Sequence, residues 1–232
     1  AKVKPDDVSA WRDMATGLTR LERSDKALAA LEQVTRLSPD DAAGWREYAT
    51  GLIRLARYDE ASAALGRAVK SNPGDASAWR ELAVLHQRGG RIAEATKAFE
   101  QALAARPDDP VTRRDLGWVL WTQGRRDEAV ARLTEAVEAG IESRDRVIFQ
   151  VAARLSEENA GEAALAFLRK VNPDSPPSAI GLALAKAGRV KAAEPILLNA
   201  WQRGDQTAEV GLYLAYARAA NGQFADIDKH LE

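Results

Sequence analysis

Four arginines recur at intervals of 34 residues, Arg12, Arg46, Arg80 and Arg114, and each is followed by a carboxylate: Asp13, Glu47, Glu81 or Asp115. A guanidinium presents a planar pair of donors, so a spaced row of them is suited to gripping an anionic or polar chain. The same row can also satisfy itself, the Arg of one segment pairing with the acid of the next. Exposed pairs of that kind contribute only about 0–1 kcal/mol each, enough to hold register without binding anything. Both readings stay open at the level of sequence. At the end of the row stand two indoles, Trp118 and Trp121, three residues apart on what would be one helix face, with Arg114 one turn earlier. Arg stacks on indole, and an exposed indole pair marks a surface that binds something. Trp121 is expected to face outward there, with Trp118 beside it or turned into the core. Phe149, Tyr213 and Tyr216 would extend the aromatic track.

Bond-breaking chemistry has little to work with. The two histidines, His86 and His230, lie far apart in the chain, and there is no cysteine to act as nucleophile, metal thiolate or disulfide partner. Neither a GxGxxG turn nor a GxxxxGK[ST] phosphate loop is present. The acidic pairs Asp40-Asp41 and Asp108-Asp109 fall next to Pro, where Asp serves as a turn former and helix cap. No catalytic residue, metal site or cofactor is expected.

Charge narrows the partners. The 33 basic and 34 acidic residues leave a formal net charge of -1. They are evenly spread, with 11 of each sign in residues 144–232 against 22 basic and 23 acidic before them. Nucleic acid or an anionic membrane is therefore not an expected partner. No apolar run is long enough to span a membrane and no signal peptide is evident. The cysteine-free composition suits the cytosol and a bacterial periplasm equally.

The elements that must carry these residues follow from the same period. Trp11, Trp45 and Trp79 precede the first three arginines. Ala15, Ala49 and Ala83 follow at one fixed offset, Ala27, Ala61 and Ala95 at another, and Pro39, Pro73 and Pro107 close each segment. A strict period in this range is the mark of stacked repeats. Trp45, Tyr48, Ala49 and Leu52 share one helical face, as do Ala61, Ala64, Leu65 and Ala68, so each segment is a helix pair. The turn between them is expected at Arg57-Tyr58-Asp59, and Asn72-Pro73-Gly74-Asp75 ends the unit. Repeats are expected at 8–41, 42–75, 76–109 and 110–143, where Arg113 takes the place of Trp and Ile141 that of Pro. Degenerate pairs follow at about 144–173 and 174–207, and a broken seventh at 208–232. The first helix of the sixth pair should be short because Pro173, Pro176 and Pro177 restrict its start. The architecture expected is a single all-α, right-handed solenoid of antiparallel helix pairs, bent or loosened near 138–147 and 172–178. The chain reads as a piece of a longer repeat protein, since an internal unit leaves an apolar face for its neighbour.

The 34-residue frame with W-x-x-[LMY]-[AG], then Ala, then Leu or Phe, then Pro resembles the tetratricopeptide repeat (TPR) family. The resemblance implies a scaffold whose first helices line a concave groove; with the missing catalytic constellations, the chain is expected to be a monomeric, non-catalytic scaffold holding a protein or peptide segment there. In that family repeat positions 2, 5, 9 and 12 face the ligand. Position 5 corresponds to Arg12, Arg46, Arg80 and Arg114; position 9 to Thr16, Thr50, Val84 and Trp118; position 12 to Thr19, Ile53, Gln87 and Trp121. The groove is therefore expected to centre on Arg80, Arg114, Trp118 and Trp121, with Phe149 beyond. The chain departs from the family's clamp for chaperone C-termini, having Arg12 and Thr16, then Glu47, then Ser77 and Glu81. A second reading is a periplasmic scaffold of a bacterial exopolysaccharide export system, in which Arg and Trp would also touch the sugar polymer.

Overall fold

The computed structural model describes residues 6–158, 160–173 and 176–224. It divides into two compact units, residues 1–125 and 126–232, each treated separately below. Among the described residues every regular element is a helix. The division falls between the two helices of the fourth repeat, ahead of the expected bend near 138–147.

Unit 1 contains α1 (Val8–Arg20), α2 (Ser24–Leu37), α3 (Ala42–Arg54), α4 (Tyr58–Ser71), α5 (Ala76–Arg88), α6 (Ile92–Ala105) and α7 (Pro110–Thr122). The first helix of each repeat starts at an Asp in extended or near-extended backbone, whose carboxylate accepts from amides of the first turn. Asp7 takes Ala10, Asp41 takes Ala43, Asp75 takes Ser77 and Ala78, and Asp109 takes Val111. Such a cap satisfies donors that no helix can satisfy internally. The turn to the second helix passes through one left-handed residue per repeat: Glu22 (φ 57°), Ala56 (φ 58°), Gly90 (φ 72°) and Gly124 (φ 76°). Repeats three and four thus use glycine where the backbone favours it, and repeats one and two tolerate a side chain there. The turn is Leu55-Ala56-Arg57, two residues earlier than expected, because Tyr58 already opens α4.

The two alanine columns are the axis of the core. Ala49, Ala61, Ala83 and Ala95 are all 0% exposed, placing the small side chains at the close-packed seam between paired helices. Trp45 and Trp79 are only half-buried, packed on the cluster of Leu52, Leu65 and Leu85. Each indole N–H donates to the carbonyl of the Pro closing the preceding repeat, Trp45 to Pro39 at 2.7 Å and Trp79 to Pro73 at 2.9 Å. In repeat four Arg113 replaces the tryptophan and makes the same bond to Pro107 at 2.6 Å.

Unit 2 contains α8 (Arg126–Glu138), α9 (Arg144–Glu157), α10 (Gly161–Val171), α11 (Pro177–Lys186), α12 (Val190–Gln202) and α13 (Ala208–Ala220). As the prolines require, α11 is short, and it begins at Pro177. It lies unusually close to α12: a Cβ placed on Gly181 would sit 2.8 Å from Leu197 Cδ2. Ser178 at its start donates to Asp205 beyond α12. The second helix of the seventh pair, with Leu231, Glu232 and His230, lies outside the described residues.

Candidate functional site

In unit 1 the arginine row is tied into joints between repeats. Arg12 donates to Asp41, the cap of α3, and to Glu47 of that helix at 2.8 Å. Arg46 reaches the next cap, Asp75, at 3.1 Å. Arg80 donates to Asp115 at 2.9 Å, and Arg114 to the other oxygen of the same carboxylate at 2.6 Å. Arg12 and Arg80 pair with position 6 of the following repeat, one of the two readings the sequence left open, whereas Arg46 does not; the use of capping aspartates as partners was not legible there. Burial alone would raise the Asp41 carboxyl, but the amides of Gly44 and Ala43 and the Arg12 guanidinium outweigh it and hold it below the usual range.

Glu81 breaks the pattern. Its counterparts in repeats two and four hold arginines, whereas Arg46 and Arg80 engage Asp75 and Asp115 instead. Burial raises the Glu81 carboxyl, a push that Asp75 reinforces, and the nearby charges of Arg46 and Arg80 only partly offset it. A raised native pKa means the folded state holds its proton to higher pH than the unfolded chain. The associated stability is full below about 4.5 and is lost as pH rises through the native value. Glu81→Gln, which cannot ionise, should therefore be more stable than the parent at pH 7, with the gap closing below about pH 4.5. Urea titrations at both pH values check this, and a variant less stable at pH 7 would contradict it.

The aromatic residues are placed differently from the expectation. Trp121 is 5% exposed and does not face a groove. Trp118 is the half-buried member, its ring 5.8 Å from that of Trp121 and tilted by 47°. Burying the inner indole removes a large apolar area from water, with the second ring packed on it as a partial cover. Phe149, on α9 in unit 2, is half-buried with the Arg189 guanidinium 5.9 Å over its ring, and Arg189 is itself held by Glu157 at 2.8 Å. Tyr213 is covered by Lys186 at 5.7 Å, while Tyr216 and Leu212 stay exposed on α13. His86 is half-buried and structural, accepting at Nδ1 from Arg91 Nε at 3.0 Å. Burial and the Arg91 charge hold its pKa down. Among the described residues no His, Asp and Glu cluster could hold a metal, and no helix is long and apolar enough to cross a membrane.

In unit 1 an open concavity lies at the other end of the row from the indoles. A groove of about 400 Å³ runs between α1 and α3, with Ala15, Ala27 and Leu31 at its base. Its rim carries Arg12, Thr16, Thr19, Arg20, Glu47, Thr50 and Arg54. The volume is that of a ligand pocket. Arg20 and Arg54 line this groove but were not among the residues the sequence singles out, although both end their helices at repeat position 13 and the period alone pairs them.

The fold defines a helix-pair repeat protein with an open concavity between its first helices. Tetratricopeptide repeat models match residues 8–51, 49–110 and 88–142, together more than half of the chain, and the chain belongs to this family. Among solved structures it is similar to a MamA protein, with a TM-score of 0.64 at 15% identity over 71% of this chain and 89% of that one. MamA from Desulfovibrio magneticus RS-1 gives a TM-score of 0.62 at 16% identity, covering 74% and 95%. YrrB, described as a TPR protein with an unusual peptide-binding site, gives 0.61 at 18% identity, covering 73% and 88%. These are likenesses of fold. No curated protein matches the chain by sequence.

Proposed function

We propose that this TPR protein is a non-catalytic interaction scaffold that holds a segment of a partner protein in the groove between α1 and α3. The observation that carries this reading is the groove itself, an apolar base supplied mainly by α2 under a polar rim on α1 and α3. YrrB, of the same fold, is described as having a peptide-binding site, which supports a peptide as the occupant. Of the aromatic residues a sugar polymer would stack on, Trp121 is buried and Phe149 and Tyr213 lie under cations, and none of the aromatic track lines the groove, which favours peptide over polysaccharide there.

Thr50 is exposed on α3 and lines the groove, so Thr50→Trp fills the concavity without entering the core. Peptides selected against the parent from a random display library should bind that variant at least about tenfold more weakly, with helical content unchanged. Equal binding by the folded variant would place the interaction elsewhere.

A further inference from the structure

The arginines of unit 1 fall into two groups. At position 5 their charge is answered within the protein, by Asp41 and Glu47, by Asp75 and by Asp115. At position 13 the pattern differs. Arg88 lies over the Tyr58 ring at 5.9 Å, while Arg20 and Arg54 are exposed on the groove rim with no ion pair to a carboxylate among the described residues. Glu47, the groove's one carboxylate among those lining it, is already held by Arg12 at 2.8 Å. The rim thus has surplus positive charge above an apolar base of Ala15, Ala27 and Leu31.

Resting on the groove reading above, we infer that the occupant is an acidic segment of a partner protein, with two carboxylates flanking small aliphatic side chains. Arg20 and Arg54 each offer a charge-assisted, two-donor contact to a carboxylate. Thr16 and Thr50 donate their hydroxyl protons to Arg12 and Arg46 carbonyls, both at 3.0 Å, so toward a ligand they present lone pairs suited to peptide N–H groups. First helices of neighbouring repeats lie roughly 10 Å apart by helix-packing distances. A segment in the polyproline II conformation advances about 3.1 Å per residue with three residues per turn, so carboxylates three residues apart lie on one face, about 9 Å apart, and meet both arginines.

The test uses fluorescent peptides of one sequence in four forms, with Asp, Asn, Lys or phosphoserine at the two positions three residues apart, and Ala and Val between. The Asp peptide should bind the parent, more weakly as salt rises. The Asn form, and the Arg20→Ala/Arg54→Ala variant, should each lose roughly tenfold or more in affinity. Arg67→Ala, exposed on α4 outside the groove, should bind like the parent. An Arg20→Glu/Arg54→Glu variant should instead take up the Lys peptide, which keeps the test decisive if truncation disturbs the helix ends. The inference is overturned if the Asp form does not bind, if Asn serves as well as Asp, if only phosphoserine binds, or if both arginine variants keep full affinity for Asp. In the second and fourth of these cases Thr50→Trp separates the two claims. Lost binding leaves the groove reading standing without acidic specificity, and retained binding removes both.

Discussion

Replacing Trp79 with Ala should lower the unfolding free energy of the first unit by about 3 kcal/mol. Fully buried aromatic truncations cost about 3–5 kcal/mol, and a half-buried indole belongs at the low end of that range. Two losses combine: the packing on Leu52, Leu65 and Leu85, and the 2.9 Å bond to the Pro73 carbonyl that fixes the end of the preceding repeat. They can be separated, because repeat four makes the equivalent bond with Arg113. Trp79→Arg should therefore recover about 1 kcal/mol relative to Trp79→Ala, the usual net contribution of one hydrogen bond. Urea unfolding followed by circular dichroism measures the total, and hydrogen exchange across α4, α5 and the loop at Pro73 shows where it acts. A loss below about 1 kcal/mol for Trp79→Ala would mean the indole is not part of the core. Equal stability of the Ala and Arg variants would mean the carbonyl bond contributes nothing.

The second large effect is expected at Gly181 in unit 2. Within a helix, glycine is ordinarily about 0.5–1 kcal/mol worse than alanine, so Gly→Ala should stabilise wherever there is room. Gly66 on α4 has nothing within 4 Å of an added Cβ and should show that gain. At Gly181 the sign reverses. The added Cβ would lie 2.8 Å and 2.9 Å from the Leu197 branch and 3.2 Å from Ile196, and both neighbours are 0% exposed, with no solvent to move into. Overpacking of this kind costs about 1–3 kcal/mol, and Gly181→Leu should reach or exceed the upper figure. Combining Gly181→Ala with Leu197→Ala should give a favourable coupling, as the second change removes the obstruction. Gly181→Ala as stable as the parent would show that α11 and α12 can part at little cost.

The helix pairs of repeats one to four were legible because the packing of a repeat imposes the same demand every 34 residues. The alanine columns, the closing prolines and the capping aspartates each answer one such demand. Arg113 shows how the reading can mislead. It looks like a lost tryptophan, yet it satisfies the same carbonyl, because the joint requires a donor reaching back six residues and not an indole as such. Trp121 was misplaced for a related reason: its period assigns it to a groove position, but the period cannot register how much apolar area the neighbouring packing can remove from water. The row at position 5 was visible as a row, and what it binds was not, since that depends on which carboxylates come within reach. Position 13 carries the complementary lesson. Arg20 and Arg54 look like ordinary cations at helix C-termini, favourable there on dipole grounds alone. Only the opening between α1 and α3 marks them as groove residues.

The capping aspartates that also hold the preceding arginine have a consequence for how such a chain can change length. In the first three segments an Arg reaches forward, Arg12 and Arg46 to the Asp that caps the next segment, and Arg12 and Arg80 to an acid one position after the next segment's own Arg. Excising residues 42–75 would join Asp41 to Ala76, leaving Arg12 beside the same capping carboxylate and opposite Glu81 in place of Glu47. The seam after such a splice would be chemically the seam that was there before. Among the regular repeats, recombination in whole multiples of the period therefore keeps an acid within reach of each forward Arg. Loss or gain of a repeat is thus a smaller physical disturbance to this protein than the insertion of a single residue within one.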